Sequence, residues 1–240
     1  MNCILLPAEN FSTDKAKIDA MAQVNHVNKV LGAKVGDTLK IGQLGGHLGT
    51  ATIENMAPDR IQLCNVQLDV IPPAKPDVTV VLALPRPKVL RRLIIDMTAL
   101  GVRNIVLINS YRTQKSYWQS PMLERLDEFV LEGLQQGVDT IAPRITLQKR
   151  FKPFVEDTLP RLMTNQAIVA HPYGEQSFSE WLQSNSSLGL PSLVCIGAEG
   201  GWIDYEIALL AAQGCMPVHI GPRILRTEAA VNAILGQWLL

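Results

Sequence analysis

The chain has 240 residues, of which 47% are hydrophobic and 18% are charged, and its 22 basic and 22 acidic side chains give a formal net charge of zero. This composition is typical of a folded globular protein and excludes an intrinsically disordered chain. A dedicated nucleic-acid binder usually carries a basic excess, so the charge balance argues mildly against that class, although a neutral chain can still carry a local basic patch.

Two short basic clusters are candidates for such a patch, and solvated surface explains each of them equally well. They consist of Arg86, Lys88, Arg91 and Arg92, and of Lys149, Arg150 and Lys152. The four cysteines are widely spaced, which argues against a metal site and against a disulfide framework. The first residues lack the basic start of a signal peptide, and no apolar run is long enough to span a bilayer. We therefore expect a cytoplasmic protein with no membrane partner and no metal.

Residues 1–72 are predicted to form a small β-barrel-like domain. They contain three short β-type runs, Thr38–Ile41, Gly49–Glu54 and Arg60–Cys64, separated by turn sequences rich in glycine, proline and aspartate. One amphipathic helix is expected before these strands, over Ala16–Leu31. Modules of this kind often bind RNA or oligosaccharides, but the fold alone fixes no function.

A proline-rich linker and a change of pattern mark a second domain, predicted over residues 73–240. Three prolines lie within residues 72–76, and they keep the backbone extended. Beyond them strands alternate with helices, which is typical of an α/β domain with a mostly parallel sheet. The expected strands are Val78–Leu84, Asn104–Ile108, Ala167–Ala170, Leu193–Ile196 and Pro217–Ile220. The expected helices cover about 88–100, 121–136, 177–183, 205–213 and 227–240.

Three segments place unusual residues at the ends of these strands, where ligands bind in an open parallel sheet. The first is the His171-Pro172 turn, in which a lone histidine is more often structural than catalytic. The second is the glycine-rich turn at residues 197–201, whose backbone can approach a ligand closely, followed by Asp204 as a candidate helix cap. Neither a dinucleotide-binding fingerprint nor a P-loop is present, so the turn alone is weak evidence.

The third segment is a Gly-Pro turn followed by Arg223 and Arg226. Thr227 is a candidate N-cap of the next helix, and Glu228 in its first turn suits the helix dipole. The two arginines lie near the positive end of that helix, where cations gain nothing from the dipole. They therefore indicate an anionic partner such as a phosphate or a carboxylate.

Together, the motifs I-G-A-E-G-G-W, D-Y-E-I and I-G-P-R-I-L-R-T-E-A-A resemble the signature of the RsmE family within the SPOUT superfamily. Enzymes of that family methylate N3 of a uridine in bacterial 16S ribosomal RNA. The resemblance is strong over residues 193–235 and covers the strand order from Val78 onward. It implies a SPOUT-like domain with a deep trefoil knot, preceded by a PUA- or OB-like RNA-binding domain. It also implies a homodimer and S-adenosyl-L-methionine as cofactor.

The resemblance further implies which residues form the site. Arg226 is expected to stabilise the charge that develops on uracil when the N3 proton leaves, and Arg223 to contact phosphate or substrate. Glu199 and Glu228 are candidate general bases, although each could instead hold backbone amides. The implied cofactor-binding positions are Ala170, His171, Ile196, Gly197, Glu199, Gly200, Gly201, Ile220, Gly221, Ile224, Leu225, Arg226 and Thr227.

The chain departs from the family's motifs at several charged positions. Asp96 and Ala99 stand where K-x-x-E-L-G-V has its charged residues, Leu134 and Val138 where E-Q-x-G-R has them, and Gly32 where H-x-x-x-V-L-R ends. The cofactor loops are therefore better kept than the charged positions outside them. The sequence identifies the methyl donor better than the methyl acceptor.

Three interpretations remain open. The leading one is a uridine N3-methyltransferase acting on 16S ribosomal RNA, either as free RNA or within the small subunit. The second is a methyltransferase of the same fold with a different RNA target. The third is a non-catalytic RNA-binding dimer that has kept the fold.

Overall fold

The computed structural model describes residues 2–239. The chain forms two compact units, of which the first contains the residues up to Ala74 together with Leu131–Ala142. The second contains Lys75–Val130 and the chain from Pro143 onward. The sequence prediction of two continuous domains, 1–72 and 73–240, did not include the return of residues 131–142 to the first unit.

The first unit is built on a six-stranded sheet in the order β1-β4-β5-β6-β3-β2. Its first strand pairs parallel with β4, and the other neighbours are antiparallel. One face packs on a core that includes Ile18, Ile41 and Leu63. The strands are β1 (Ile4–Leu6), β2 (Phe11–Ser12), β3 (Lys15–Ile18), β4 (Thr38–Gln43), β5 (Leu48–Met56) and β6 (Ile61–Val70).

The predicted helix over Ala16–Leu31 is wrong in its first third. Residues 15–18 alternate between exposed and buried and form β3, which pairs antiparallel with β6. Helix α1 (Met21–Asn25) begins only after this strand and continues as a π-helical segment to Leu31. Gly32 follows with φ +60°, a left-handed conformation that glycine adopts without strain and that ends the helix.

The segment that returns to the first unit contributes a buried polar contact. The side-chain amide of Gln23 donates to the backbone carbonyl of Leu5 at 2.8 Å and to Oε1 of Gln135 at 3.0 Å. Both glutamines are buried, so these bonds remove the cost of leaving their amides unpaired. Gln135 lies in the run whose charged motif positions are altered, and there it has a structural role.

The second unit is an α/β layer structure, as predicted, on a seven-stranded sheet in the order β11-β13-β10-β12-β7-β8-β9. Every pair of neighbours is parallel. The central strands are continuous apolar runs because both of their faces are buried. The strands are β7 (Thr79–Ala83), β8 (Asn104–Ile108), β9 (Arg144–Gln148), β10 (Ala167–Ala170), β11 (Gln176–Ser177), β12 (Leu193–Ile196) and β13 (Cys215–His219).

The helices of the chain follow the predicted pattern with two differences. The helix predicted over about 121–136 begins as a 3-10 turn at Pro121–Arg125, and two short helices with a π-helical turn between them follow β9. The short helices after β9 were not predicted because the sequence there shows a basic cluster and no long apolar period. The helices after α1 are α2 (Pro87–Ala99), α3 (Leu126–Gly137), α4 (Phe151–Pro153), α5 (Leu159–Leu162), α6 (Phe178–Ser184), α7 (Asp204–Ala212) and α8 (Thr227–Leu235).

The strand order places three loops side by side. Strand β10 lies between β12 and β13, and all three are parallel. Their carboxyl ends therefore share one edge of the sheet, and the loops that follow residues 170, 196 and 219 meet there. Within residues 2–239, no helix combines the length and the apolar character needed to cross a membrane.

Candidate functional site

A cavity of about 230 Å³ lies at the carboxyl edge of the parallel sheet, between these three loops. One of the implied cofactor-binding positions, Arg226, is exposed and does not line this cavity. The implied positions that line the cavity are Ala170, His171, Ile196, Gly197, Glu199, Gly200, Gly201, Ile220, Gly221, Ile224, Leu225 and Thr227. The wall also contains Arg112, Pro172, Tyr173, Ala198, Trp202, His219, Arg223 and Ala230.

The loop after β12 is wound so tightly that it requires glycine. A Cβ added to Gly197 would lie 3.0 Å from the Cα of Gly201 and 3.2 Å from the amide nitrogen of Trp202. Gly201 has φ +67°, which side chains with a Cβ rarely adopt, and its N–H donates to the carbonyl of Ala198 at 2.8 Å. The loop therefore presents backbone, rather than side chains, to the cavity.

Glu199 lies in the cavity wall, and its carboxylate is paired with Arg86. It accepts a hydrogen bond from the Arg86 backbone N–H at 3.2 Å, and the Arg86 Nε lies 3.3 Å away. Arg86 precedes α2 in the turn after β7, so this contact joins two loops at the same edge of the sheet. Glu199 holds a backbone amide, which is the structural alternative to its candidate role as a base.

Glu206 is a site residue that sequence reasoning missed. Its side chain is 2% exposed, and its carboxylate accepts from the N–H of Ile203 at 3.1 Å and from the N–H of Tyr111 at 2.8 Å. The prediction that Asp204 caps α7 is wrong, because Ile203 is the N-cap residue and the Glu206 carboxylate satisfies its free N–H. The same carboxylate fixes the loop after β8 to the loop after β12.

Arg112 is the second missed residue, and it lies in that fixed loop. Its Nη1 donates to the carbonyl oxygen of Gly200, and its methylene groups cover the place where a Cβ of Gly200 would project, 2.9 Å from Arg112 Cδ. The only signal in the sequence is its position just after a buried parallel strand, the same rule that identified the other three loops.

The loop after β13 carries the two predicted arginines. Gly221 has φ +115°, and its N–H donates to Nδ1 of His219 at 3.0 Å, which closes the turn. Arg223 lines the cavity. The prediction of Thr227 as N-cap is wrong, because Arg226 is the N-cap residue and Thr227 begins α8 as a buried residue.

Glu228, the other candidate base, points to a different neighbour. Its carboxylate lies 3.7 Å from Nη1 of Arg92 on α2, and it does not line the cavity. The pair is a partly exposed ion pair between two helices.

His171 begins the loop after β10, and its backbone N–H donates to the carbonyl of Val218 at 2.9 Å. Its ring meets Tyr173 edge-on, with the ring centroids 5.6 Å apart. Partial burial lowers the pKa of His171 below its ordinary value of 6.5, and the Asp204 carboxylate opposes part of that shift. The imidazole is therefore protonated only at a lower pH than an ordinary histidine. Within the described part of the chain, no group of His, Cys, Asp and Glu side chains could hold a metal ion.

Comparison with known proteins places this site in a family. The model of the RNA methyltransferase domain matches residues 72–239. The chain is 28% identical over 212 residues to a ribosomal RNA small subunit methyltransferase E of Treponema pallidum, covering 87% of this chain and 79% of the relative. A protein of the same name from Synechocystis is 28% identical over 217 residues, covering 90% and 70%. These matches confirm the resemblance to the RsmE family.

Two solved structures share the fold. A ribosomal RNA small subunit methyltransferase E from Neisseria gonorrhoeae, bound to S-adenosylmethionine, superposes with a TM-score of 0.74 at 20% identity, covering 98% of this chain and 95% of the other. A methyltransferase from Legionella pneumophila in complex with the same cofactor gives a TM-score of 0.75 at 19% identity, covering 99% and 96%.

The Glu206 carboxylate is expected to contribute measurably to stability. Glu206→Gln keeps the size of the side chain but replaces one acceptor oxygen with an N–H group that faces a backbone N–H. We expect it to lower the free energy of unfolding by about 1–3 kcal/mol, the range for a buried hydrogen bond left unmade. Chemical denaturation measures this loss.

The matched control is Glu228→Gln, which removes the same charge from a partly exposed ion pair. It should cost about 0.5 kcal/mol or less. Equal effects of the two substitutions would contradict a special role for Glu206.

The His171 imidazole should titrate below 6.5 in an NMR pH titration, because partial burial disfavours its charged form. Asp204→Asn should lower the midpoint further, since it removes the charge that opposes the shift. The unfolded chain binds the proton more readily than the folded chain, so His171 makes stability fall as pH drops below 6.5. A midpoint that rises in Asp204→Asn would refute this account.

Proposed function

Because this chain belongs to the RNA methyltransferase domain family, we propose that it is an S-adenosylmethionine-dependent enzyme that methylates N3 of a uridine in 16S ribosomal RNA. The observation that carries the proposal is the cavity at the carboxyl edge of the parallel sheet, whose walls include the motif loops after β12 and β13. The relatives named ribosomal RNA small subunit methyltransferase E support the substrate.

The residues of the cavity suit this cofactor. Its walls combine bare backbone at Gly197 and Gly221 with apolar side chains such as Ile196 and Leu225, a surface fit for a purine ring with hydrogen-bonding edges. When bound, S-adenosylmethionine supplies a methyl group that its sulfonium has already activated for transfer.

The protein's remaining task is to orient the uracil and to manage the N3 proton. Loss of that proton spreads negative charge onto O2 and O4, and a guanidinium aimed at these atoms stabilises it. Arg226 follows Leu225 directly and is exposed just beyond the cavity lining, so we assign it this role. Arg223, inside the lining, contacts phosphate or substrate. Glu199 shapes the site through its pair with Arg86.

Several finer features belong to the same proposal. We propose that the six-stranded sheet of the first unit curls into a PUA- or OB-like barrel that binds RNA, and that the loops of the second unit are threaded as a deep trefoil knot. We also propose that the enzyme acts as a cytoplasmic homodimer. The family resemblance supports the barrel, the knot and the homodimer.

One observation favours a second candidate, a methyltransferase of the same fold with another RNA target. Charged motif positions outside the cavity are replaced, and at Gly32 the replacement is a glycine with φ +60°, a left-handed conformation that glycine adopts without strain. A surface altered in this way can present its cationic groups to a different RNA.

The proposed function is tested in two steps. Calorimetry should detect S-adenosylmethionine binding to the wild-type protein, and Gly197→Ala should weaken it because the new Cβ meets the Gly201 backbone. Gly236→Ala is the control, since nothing lies within 4 Å of that Cβ. Absence of binding would exclude both enzymatic candidates and leave a non-catalytic RNA-binding protein.

The second step identifies the acceptor. In a bacterial strain that lacks the N3-methyluridine of 16S ribosomal RNA, expression of this protein should restore the modification, as read by mass spectrometry of the digested RNA. A strain that stays unmodified, although the protein binds the cofactor, would favour the second candidate.

Arg226→Ala should lower kcat by about 10²-fold or more, because it removes the donor that stabilises the developing anion. Cofactor affinity should stay near the wild-type value, since Arg226 does not line the cavity. Arg103→Ala is the control, because Arg103 pairs with Asp77 at the amino ends of the strands, away from the cavity. Unchanged turnover in Arg226→Ala would show that another residue stabilises the anion.

A further inference from the structure

Arg112 is a cavity residue outside the family motifs that identified the site. It lies in the loop after β8, whereas the motif loops follow β12 and β13. Its guanidinium has five N–H donors, and the hydrogen bond to the Gly200 carbonyl uses Nη1 alone. It forms no ion pair with any carboxylate of residues 2–239. Donors are therefore left for a ligand.

The loop that carries Arg112 is held from two sides. The Tyr111 N–H is bound by the buried Glu206 carboxylate at 2.8 Å. On the other side of the arginine, the Thr113 hydroxyl donates to the carbonyl of Leu84 at 3.2 Å and lies 3.3 Å from the Ser110 hydroxyl. With both neighbours of Arg112 fixed, the backbone that carries its side chain needs little reorganisation when a partner binds.

The charges around the cavity favour an anionic partner. Glu199 is paired with Arg86, and the Glu206 carboxylate is used by two backbone N–H groups. The carboxylates of Glu199 and Glu206 are thus occupied, while Arg112 and Arg223 line the cavity. An unpaired guanidinium at the edge of a cavity is suited to a carboxylate or a phosphate, which it can bind through two parallel hydrogen bonds.

We propose that Arg112 is an additional anion-binding residue of this site, and that Glu206 is a positioning residue that holds it there through the Tyr111 amide. The anion is an oxygen group of a bound substrate, either the carboxylate of the cofactor or a phosphate of the RNA. This inference rests on the proposed function, which supplies both of these ligands.

The test compares the wild-type protein with Arg112→Ala, Arg112→Lys and the control Arg103→Ala. Calorimetry measures the affinity for S-adenosylmethionine and for decarboxylated S-adenosylmethionine, and filter binding measures the affinity for a 16S ribosomal RNA fragment over a range of salt. Arg112→Ala should weaken one ligand by about 10-fold, because a charged contact is lost. Arg112→Lys should recover part of that affinity, since it keeps the charge but not the paired donors.

The two sources of the anion give different results. If the anion is the carboxylate, Arg112→Ala lowers the affinity for S-adenosylmethionine and leaves the affinity for the decarboxylated compound unchanged. If the anion is a phosphate, the affinity for RNA falls. The slope of the logarithm of the RNA-binding constant against the logarithm of the salt concentration then also decreases in magnitude by about one. Unchanged affinity for every ligand in Arg112→Ala overturns the proposal while leaving the proposed function intact. If the wild-type protein binds neither the cofactor nor the RNA, the proposed function is overturned, and this inference is overturned with it.

The positioning role has its own readout. Glu206→Gln, measured at a temperature where it is fully folded, should weaken the same ligand as Arg112→Ala. The double variant should be no weaker than Arg112→Ala alone, because both changes act through one guanidinium. Additive effects would show that Glu206 acts independently of Arg112. Thermal unfolding of each variant establishes that it is folded at the temperature of the binding measurement, which separates ligand binding from folding.

Discussion

The position of β10 between β12 and β13 is the constraint on which the site depends. Parallel strands share the direction of their carboxyl ends, so placing these three side by side gathers their loops at one edge. None of the loops could form the cavity alone, because each supplies only part of the wall. The apolar runs of β7, β10 and β12, buried on both faces, keep these strands in the interior of the sheet.

Within this frame the loops are kept close by two kinds of contact. Glycines at Gly197 and Gly201 let backbone pack against backbone. The side chain of Arg112 occupies the space into which a Cβ of Gly200 would project. Carboxylates then join the loops through main-chain N–H groups, Glu206 to Tyr111 and Glu199 to Arg86. Main-chain contacts of this kind are rigid, since they involve no flexible side chain on the donor side. The cavity is therefore largely formed by the protein before any ligand arrives.

Much of this arrangement could be predicted from the sequence, and the misses have physical causes. Strands β8, β10 and β12 were predicted at their observed bounds because a short apolar run bounded by turn residues has few alternatives. Strand β9 was missed because an edge strand is only partly buried and lacks that signal. Asp204 and Thr227 were assigned as caps from residue preference, but the backbone enters each helix one residue earlier. Glu206 and Arg112 were missed because their importance comes from contacts between loops far apart in the sequence.

The zero net charge, which argued mildly against a nucleic-acid partner, has a different meaning once the ion pairs are known. Several acidic groups form ion pairs with basic side chains away from the cavity, as Asp77 does with Arg103 and Glu228 with Arg92. The arginines around the cavity, Arg112, Arg223 and Arg226, form no such pair within the part of the chain that the structure describes. A chain can therefore be neutral as a whole while its site is cationic, because attraction to a phosphate depends on the charges within about 10 Å rather than on their sum over the molecule.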